Sequence, residues 1–193
     1  MLIKLNEIAS IRAGHPFRGA IKGSDDGNGY VIQTRDQSEY GAIDWSELVC
    51  TQITGRNEPE WLKPGDIIFS ARGLRNLASC IPELDKPTVC SPHYFVISVQ
   101  SHCVMPEFLA WQLNQPIAQR YFQQSAEGSA QRTIRRAILE STPISVPSIE
   151  MQERMMKMVQ AVEREEIIYK ELIDLRQSEL QAIAQRILSG KNI

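Results

Sequence analysis

Residues 148–190 read SIEMQERMMKMVQAVEREEIIYKELIDLRQSELQAIAQRILSG. Apolar residues recur in this segment at steps of three and four, and no glycine or proline interrupts it between Pro147 and Gly190. This period predicts one amphipathic helix, capped by Ser148 and about 60 Å long at ~1.5 Å per residue. The preceding 147 residues are too few to cover such a helix. We therefore expect a partner helix from another chain along most of its apolar stripe.

The apolar stripe names the residues expected between the paired helices. They are Met155, Met158, Val162, Ile168, Leu172, Leu175, Ile183 and Ile187. The beginning of the helix is rich in methionine, which packs adaptably, so it is also a candidate docking surface for a different protein.

The first 147 residues alternate short apolar runs with glycine and proline turns. Residues 30–34 and 92–99 have the composition of strands, and a Pro64-Gly65-Asp66 turn precedes a buried strand at 67–71. Pro106 suits the first position of a helix, and Gln115-Pro116 predicts a kink or break in that helix, which then resumes at Ile117. The sequence predicts an α+β fold: a globular domain (1–147) with a mixed or antiparallel sheet, then a long coiled-coil-forming helix (148–193).

Composition excludes several classes of protein. The net charge is −2, and residues 1–147 carry 14 basic against 15 acidic side chains, so any basic surface is local. No apolar run approaches the ~18 residues of a membrane span. The first residues are too polar for an export signal, and the four cysteines form no CxxC pair. We expect a cytoplasmic protein with reduced thiols.

The chain also lacks the common catalytic motifs. There is no GxxxxGK[ST] phosphate loop, no GxSxG and no HExxH, and no lysine has a carboxylate two residues before it. Residues 91–94, SPHY, only faintly resemble the turn of amino-group DNA methyltransferases, because the second proline is missing. We therefore expect no catalytic residue and no cofactor.

A zinc site is the remaining chemical alternative, since Cys90, His93, His102 and Cys103 are residue types that bind zinc. His93 and His102 lie at opposite ends of a predicted strand, about 30 Å apart if fully extended. Buried thiols and ordinary histidines are the preferred interpretation, and no metal is expected.

Four segments carry a resemblance to a known family. They are LNEIASIRAG (5–14), LKPGDIIFSARG (62–73), PEFLAWQLN (106–114) and, after AEGS (126–129), Ile134 and Leu139, PISVPSIEMQ (143–152). In this order they resemble one half of the specificity (S) subunit of type I restriction–modification systems. That half is a target recognition domain followed by a conserved spacer helix, and the resemblance covers almost the whole chain.

The resemblance implies a function. A full S subunit has two recognition domains joined by two antiparallel helices, and each domain reads half of a bipartite DNA site. Modification subunits methylate adenine using S-adenosylmethionine, and restriction subunits translocate and cut. This chain looks like a half-length S subunit, so we expect a non-catalytic antiparallel homodimer that reads an interrupted palindrome. Its expected partners are double-stranded DNA, a second copy, a modification subunit and possibly a restriction subunit, with no membrane.

Basic and amide side chains in loops after predicted strands are the candidates for DNA contact. Loops held by rigid strands suit base reading, and arginine recognises both guanine edges and phosphates. The candidates are Arg18, Lys22, Gln33, Arg35, Arg72, Arg75, Asn76, Arg132, Arg135 and Arg136.

Two other functions stay open at this point. The near-neutral charge favours a protein-interaction module with a coiled-coil arm and no DNA contact, which the salt dependence of binding distinguishes. A small enzyme with an unrecognised site is the other alternative, although the missing motifs count against it.

Overall fold

The computed structural model describes residues 2–55, 58–72, 76–125 and 133–189. The chain divides into two compact units, Met1–Gln152 and Glu153–Ile193, which we call the head and the arm. The head thus extends past the predicted boundary at residue 147 and takes in the first turn of the long helix.

Short strands and helices make up the described part of the head. In chain order they are β1 (Leu2–Lys4), β2 (Ala9–Ala13), β3 (Gly29–Ile32), β4 (Val49–Thr51), β5 (Ile67–Ser70), β6 (Ala78–Cys80), β7 (Thr88–Cys90), β8 (Tyr94–Val99), α1 (Pro106–Leu113), α2 (Pro116–Ser125), α3 (Arg136–Glu140) and β9 (Pro143–Ser145), with 3-10 turns at Leu5–Glu7 and Thr34–Asp36. The long helix α4 (Ile149–Leu188) begins in the head and continues through the arm. The predicted α+β class is confirmed.

Four strands form an antiparallel sheet in the order β2-β8-β5-β6. All four residues of β5 are buried, because separate cores cover its two faces. Ile67 and Phe69 belong to the larger core, and the Phe69 ring lies 4.9 Å from that of Phe122 in α2. Ile68 belongs to a second core, with Tyr94. A strand covered on both faces needs the unbroken apolar run seen in the sequence.

A second sheet, in the order β4-β3-β7, is mixed, because β3 runs antiparallel to β4 and parallel to β7. A two-stranded ribbon pairs β1 with β9, with Leu2 opposite Ser145 and Lys4 opposite Pro143. The ribbon therefore joins the beginning of the head to the connector that leads into α4.

Prolines set the beginnings of α1 and α2. Pro106 and Pro116 are the first residues of these helices, where the missing N–H costs no intrahelical hydrogen bond. Leu109 and Leu113 of α1 are fully buried in the larger core. The predicted break at Gln115-Pro116 is thus confirmed as the gap between two helices.

The first turn of α4 is held inside the head by hydrogen bonds. The carbonyl of Ser148 accepts from the N–H groups of Met151 and Gln152, each at 3.0 Å. The Gln152 side chain is fully buried, accepts from Met105 N at 2.9 Å, and donates to the carbonyls of Cys103 at 2.8 Å and Pro147 at 2.9 Å. The Gln152 side chain therefore ties the first turn of α4 to the segment that precedes α1.

Candidate nucleic-acid interface

One end of the four-stranded sheet gathers the loops that carry most of the predicted contacts. Ser70, the last residue of β5, pairs with Tyr94, the first of β8, and Ala13 at the end of β2 pairs with Phe95. The loops after β2 and β5 and the turn before β8 therefore lie at the same end of the sheet.

Two strands of the second sheet also end next to these loops. The last residues of β3 and β7, Ile32 and Cys90, are paired, and the N–H of Ser91 donates to Ile32 O at 2.9 Å. The N–H of Ala71 in turn donates to His93 O at 2.8 Å. We call this combined surface the loop face and define it as residues 14–15, 33–37, 71–72, 91–93 and 133–136.

Arg72 is exposed on the loop face and joins two candidate segments. It forms an antiparallel bridge with Thr133, and Ile134 N donates to Ala71 O at 2.9 Å. This pairing places the segment with the exposed Arg135 and Arg136 beside Arg72, although about sixty residues separate them in sequence. The basic candidates after β5 and those at the beginning of α3 thus lie on one surface.

Arg136 is partly neutralised by its own helix. Its Nε lies 2.7 Å from Glu140 Oε1, one helical turn on, and its side chain is still 58% exposed. An exposed i,i+4 pair is weak, so the guanidinium can exchange this carboxylate for a phosphate. Two other candidates, Arg75 and Arg132, lie outside the described residues.

Asn76 is buried, which its loop position did not predict. Its side-chain amide donates to Ser70 O at 2.8 Å, and its own carbonyl accepts from Gln119 Nε2 at 2.8 Å. Asn76 is therefore held against β5 and α2 by its own hydrogen bonds, and the DNA surface proposed below leaves it out.

The segment after β3 presents one of its two candidates to solvent. The strand ends at Ile32, because Gln33 N donates to Asp36 Oδ2 at 2.7 Å and residues 34–36 form a 3-10 turn. Gln33 Nε2 is buried and makes no hydrogen bond to the described residues. Arg35 is exposed, with its Nε 3.6 Å from Asp36 Oδ1, so it is the side chain that a ligand can reach.

The structure separates Lys22 from the other candidates. Its carbonyl accepts from Thr51 Oγ1 at 2.7 Å, and Thr51 pairs with Gly29 at the beginning of β3, opposite the end that Gln33 follows. Arg18, in the same loop, is exposed three residues beyond His15. Phe17 and Ile21 hold this loop against the Val31, Ile53 and Val89 core.

Residues 1–176 match the family model described as the type I restriction modification DNA specificity domain. The chain belongs to this family. No curated protein matches the chain.

Solved structures support the same fold for this specificity domain. The S subunit of the type I restriction–modification system from M. genitalium is 12% identical with a TM-score of 0.60, covering 100% of this chain and 46% of that one. The HsdS subunit from Thermoanaerobacter tengcongensis is 15% identical with a TM-score of 0.65, covering 98% and 44%. A type I R-M structure concerned with complex assembly and conformational transition is 16% identical, also with a TM-score of 0.65 and 98% and 44% coverage. The specificity domain thus spans less than half the length of each.

Beside the loop face, the specificity domain has a cavity of about 470 Å³ that the sequence did not predict. It is lined by Tyr40, Leu77, Gln119 and Arg120, among others, and Tyr40 is 73% exposed. Gln119 links the cavity to the loop after β5 through Asn76. The sequence signal for this cavity is Arg120 on the exposed side of α2. The position of Tyr40 beside it depends on tertiary packing, so the sequence alone does not predict the cavity.

The chemistry of the described part of the loop face suits binding. Burial raises the pKa of the Cys90 thiol to about 12 and also raises the pKa of Tyr94, so both stay protonated near neutral pH. No group of three or more His, Cys, Asp or Glu side chains among the described residues could hold a metal ion. The site presents guanidinium and backbone groups, which bind phosphates and base edges.

The arm presents the predicted stripe to solvent in the single chain. Met155 is half-buried, and the other seven stripe residues are between 44% and 67% exposed. So much exposed aliphatic surface on one helix indicates an interface. In the described part of the chain, no helix has the length and apolarity that crossing a membrane requires.

Proposed function

We propose that this chain is the DNA-reading component of a type I restriction–modification complex, with the loop face contacting one half-site of double-stranded DNA. The observation that carries the proposal is the bridge between Arg72 and Thr133, which gathers distant basic segments on one exposed edge of a DNA specificity domain. Arg72 and Arg35 are the proposed base-reading residues. Arg135 and Arg136 on the loop face, and Arg18 in the loop that continues from His15, are the proposed phosphate contacts.

The proposed surface is consistent with a net charge of −2, because the acidic side chain among the loop-face residues, Asp36, is buried, whereas the arginines there are exposed. Asp36 and Asp66 are buried and engaged in hydrogen bonds, whereas Arg35, Arg72 and Arg136 are exposed. A phosphate backbone meets the exposed cations first, so a locally basic edge is sufficient for DNA binding.

The proposed assembly has two copies that pair their arms antiparallel, which puts the two head–arm junctions at opposite ends of the pair. The 40-residue helix α4 is ~60 Å long, of the order of two turns of duplex DNA at ~34 Å each. Such a dimer reads an interrupted palindrome. Methylation and cleavage belong to partner subunits, and we propose that a modification subunit docks on this chain.

Selection from a library of randomised duplexes tests the reading of DNA. The expected result is enrichment of one interrupted palindrome by the purified chain, with log affinity falling steeply as log salt rises. A library in which no sequence is enriched, together with an affinity that does not change with salt, would contradict DNA reading. It would favour the interaction module that the near-neutral charge also allows.

Light scattering tests the pairing of arms separately. The wild-type mass is expected near twice 21.9 kDa, and Leu172→Glu together with Ile183→Glu should reduce it to that of one chain. The control is Gln181→Glu, which adds one such charge on the opposite side of the helix and should leave the dimer intact. A monomeric wild type would show that a different chain covers the stripe, and co-purification with a modification subunit would then identify it.

A further inference from the structure

The apolar seam of the arm is interrupted by charged residues at defined places. Steps of four and three residues from Met151 alternate along one side of α4, as the a and d positions of a heptad repeat do. They pass through Met151, Met155, Met158, Val162, Glu165, Tyr169, Leu172, Arg176, Glu179 and Ile183. Glu165, Arg176 and Glu179 therefore lie in the path of any helix that packs on this seam. Glu165 and Arg176 lie at equal distances on either side of the Tyr169–Leu172 centre.

We infer that the occupant of this seam is a second copy of the chain, antiparallel, in the register that sets Glu165 of each arm opposite the partner's Arg176. The inference rests on the homodimer proposed above and adds to it a specific alignment. In this register Tyr169 lies opposite the partner's Leu172, and Met158 lies opposite the partner's Ile183. The two-fold axis passes between residues 170 and 171.

The same register accounts for apolar residues beside the seam. Ile168 and Leu175 both occupy the g position of the heptad, and both are exposed in the single chain. In antiparallel pairs, g positions approach g positions of the partner. The proposed alignment brings Ile168 next to the partner's Leu175, so two further aliphatic side chains per arm are covered.

Charge complementarity excludes the neighbouring alignments. A shift by one heptad places Arg176 opposite Met158 in one direction and opposite Leu172 in the other, so its guanidinium loses the opposing carboxylate. A parallel pair would set Glu165 against its own copy and Arg176 against its own copy, and like charges in a desolvated seam are strongly unfavourable. Arg176 NH1 already lies 2.8 Å from Glu179 Oε2 of its own chain, and the proposed register gives it a carboxylate from each chain.

The length of the arm selects the same alignment. The proposed register pairs residues 153–188, which is the whole described part of α4 beyond the head. A shift in one direction would bring Leu188 opposite residue 146, before α4 begins. The opposite shift would leave residues 153–159 unpaired, with Met155 and Met158 uncovered.

A charge exchange tests the register. Glu165→Arg alone should weaken the dimer about 10-fold or more, because symmetry places arginines opposite each other twice, and Arg176→Glu alone should do the same with carboxylates. An equimolar mixture of the two variants should form a heterodimer with close to wild-type affinity, measured by sedimentation equilibrium. The matched controls Asp174→Arg and Arg164→Glu make the same changes of charge at outward positions and should leave the affinity unchanged.

The outcomes separate the register from the homodimer. A wild-type chain that stays monomeric sinks the homodimer and the register together. A wild-type dimer whose two variants do not recover on mixing overturns the register and leaves the homodimer standing.

Distances between spin labels give a second measurement that does not depend on affinity. Labels on Gln160→Cys and, separately, Gln181→Cys, with Cys50, Cys80 and Cys103 changed to serine, should each lie ~32 Å from their partner copy along the axis. A shift by one heptad would change one of these spacings to ~21 Å and the other to ~42 Å. Unequal distances from the two sites would therefore contradict the proposed register.

Discussion

The two ends of β5 carry charged side chains and use them in opposite ways. Before the strand, Asp66 is buried, accepts from Ser98 Oγ at 2.6 Å and from Lys63 N at 3.0 Å, and lies 3.9 Å from Arg12. After the strand, Arg72 is exposed, and backbone pairing with Thr133 ties it to the described part of the loop face. A charge used inside the head stabilises the fold, whereas a charge that the fold holds outward is available to a ligand.

The largest expected effect is on the free energy of unfolding, through the buried charge before β5. Asp66→Ala leaves the Lys63 N–H and the Ser98 hydroxyl without their acceptor, so the free energy of unfolding should fall by about 2–4 kcal/mol. Urea denaturation measures this. The control Asp44→Ala removes an exposed carboxylate with similar local bonds to Ser46 and should lower the free energy of unfolding much less. Equal losses in both variants would show that the Asp66 network contributes nothing beyond a surface turn.

The exposed end should affect binding and leave stability unchanged. Arg72→Ala is expected to weaken binding to the selected DNA by about 1–3 kcal/mol, because it removes a forked donor from the loop face. Lys63→Ala is the matched control, since Lys63 is exposed at the opposite end of the same strand. Fluorescence anisotropy would measure both. A loss with Lys63→Ala as large as that with Arg72→Ala would place the DNA surface elsewhere.

The buried thiol of Cys90 and the half-buried thiol of Cys80 predict a loss of stability at alkaline pH. Burial raises the pKa of Cys90 at the end of β7, and of Cys80 at the end of β6, to about 12 from 9.0. The unfolded thiol ionises first as the pH rises, so the stabilisation is complete below about pH 9 and is lost progressively toward about pH 12. For Cys90 the expected slope is about 1 kcal/mol per pH unit. Urea titrations between about pH 9 and 11 should give a shallower slope for Cys90→Ala, and an unchanged slope would assign the effect to other groups.

The smallest effect concerns phosphate contacts. Arg135→Ala should weaken binding a few-fold on every duplex alike and reduce the slope of log affinity on log salt by about 1. The sequence selected from a random library should stay the same. A changed target sequence would instead assign Arg135 to base reading.

Local chemistry made the large elements predictable. The spacing of Met158, Val162, Leu172 and Ile183 predicts α4, and the prolines at 106 and 116 predict where the shorter helices begin, because both signals act within a few residues. The strands β4, β6 and β7 have three residues each, too few to establish a period of two, so pairing partners far along the chain determine them.

The candidate site divides in the same way. The types of residue on the loop face are visible in the sequence, since Arg35 and Arg72 follow apolar runs. The contact of the Arg72 segment with Thr133, the burial of Asn76 and the position of Lys22 at the other end of β3 depend on register between distant segments. No local pattern contains that register.

The ribbon of β1 and β9 makes the head an exchangeable cassette. Leu2 lies opposite Ser145, so the first strand of the described part of the head pairs with its last strand, just before the chain enters α4. Recombination that replaces the residues between β1 and β9 would leave these two strands and their connection to α4 unchanged. With the proposed roles of the loop face and of α4, a single recombination event would place a new DNA-reading surface on an unchanged helix.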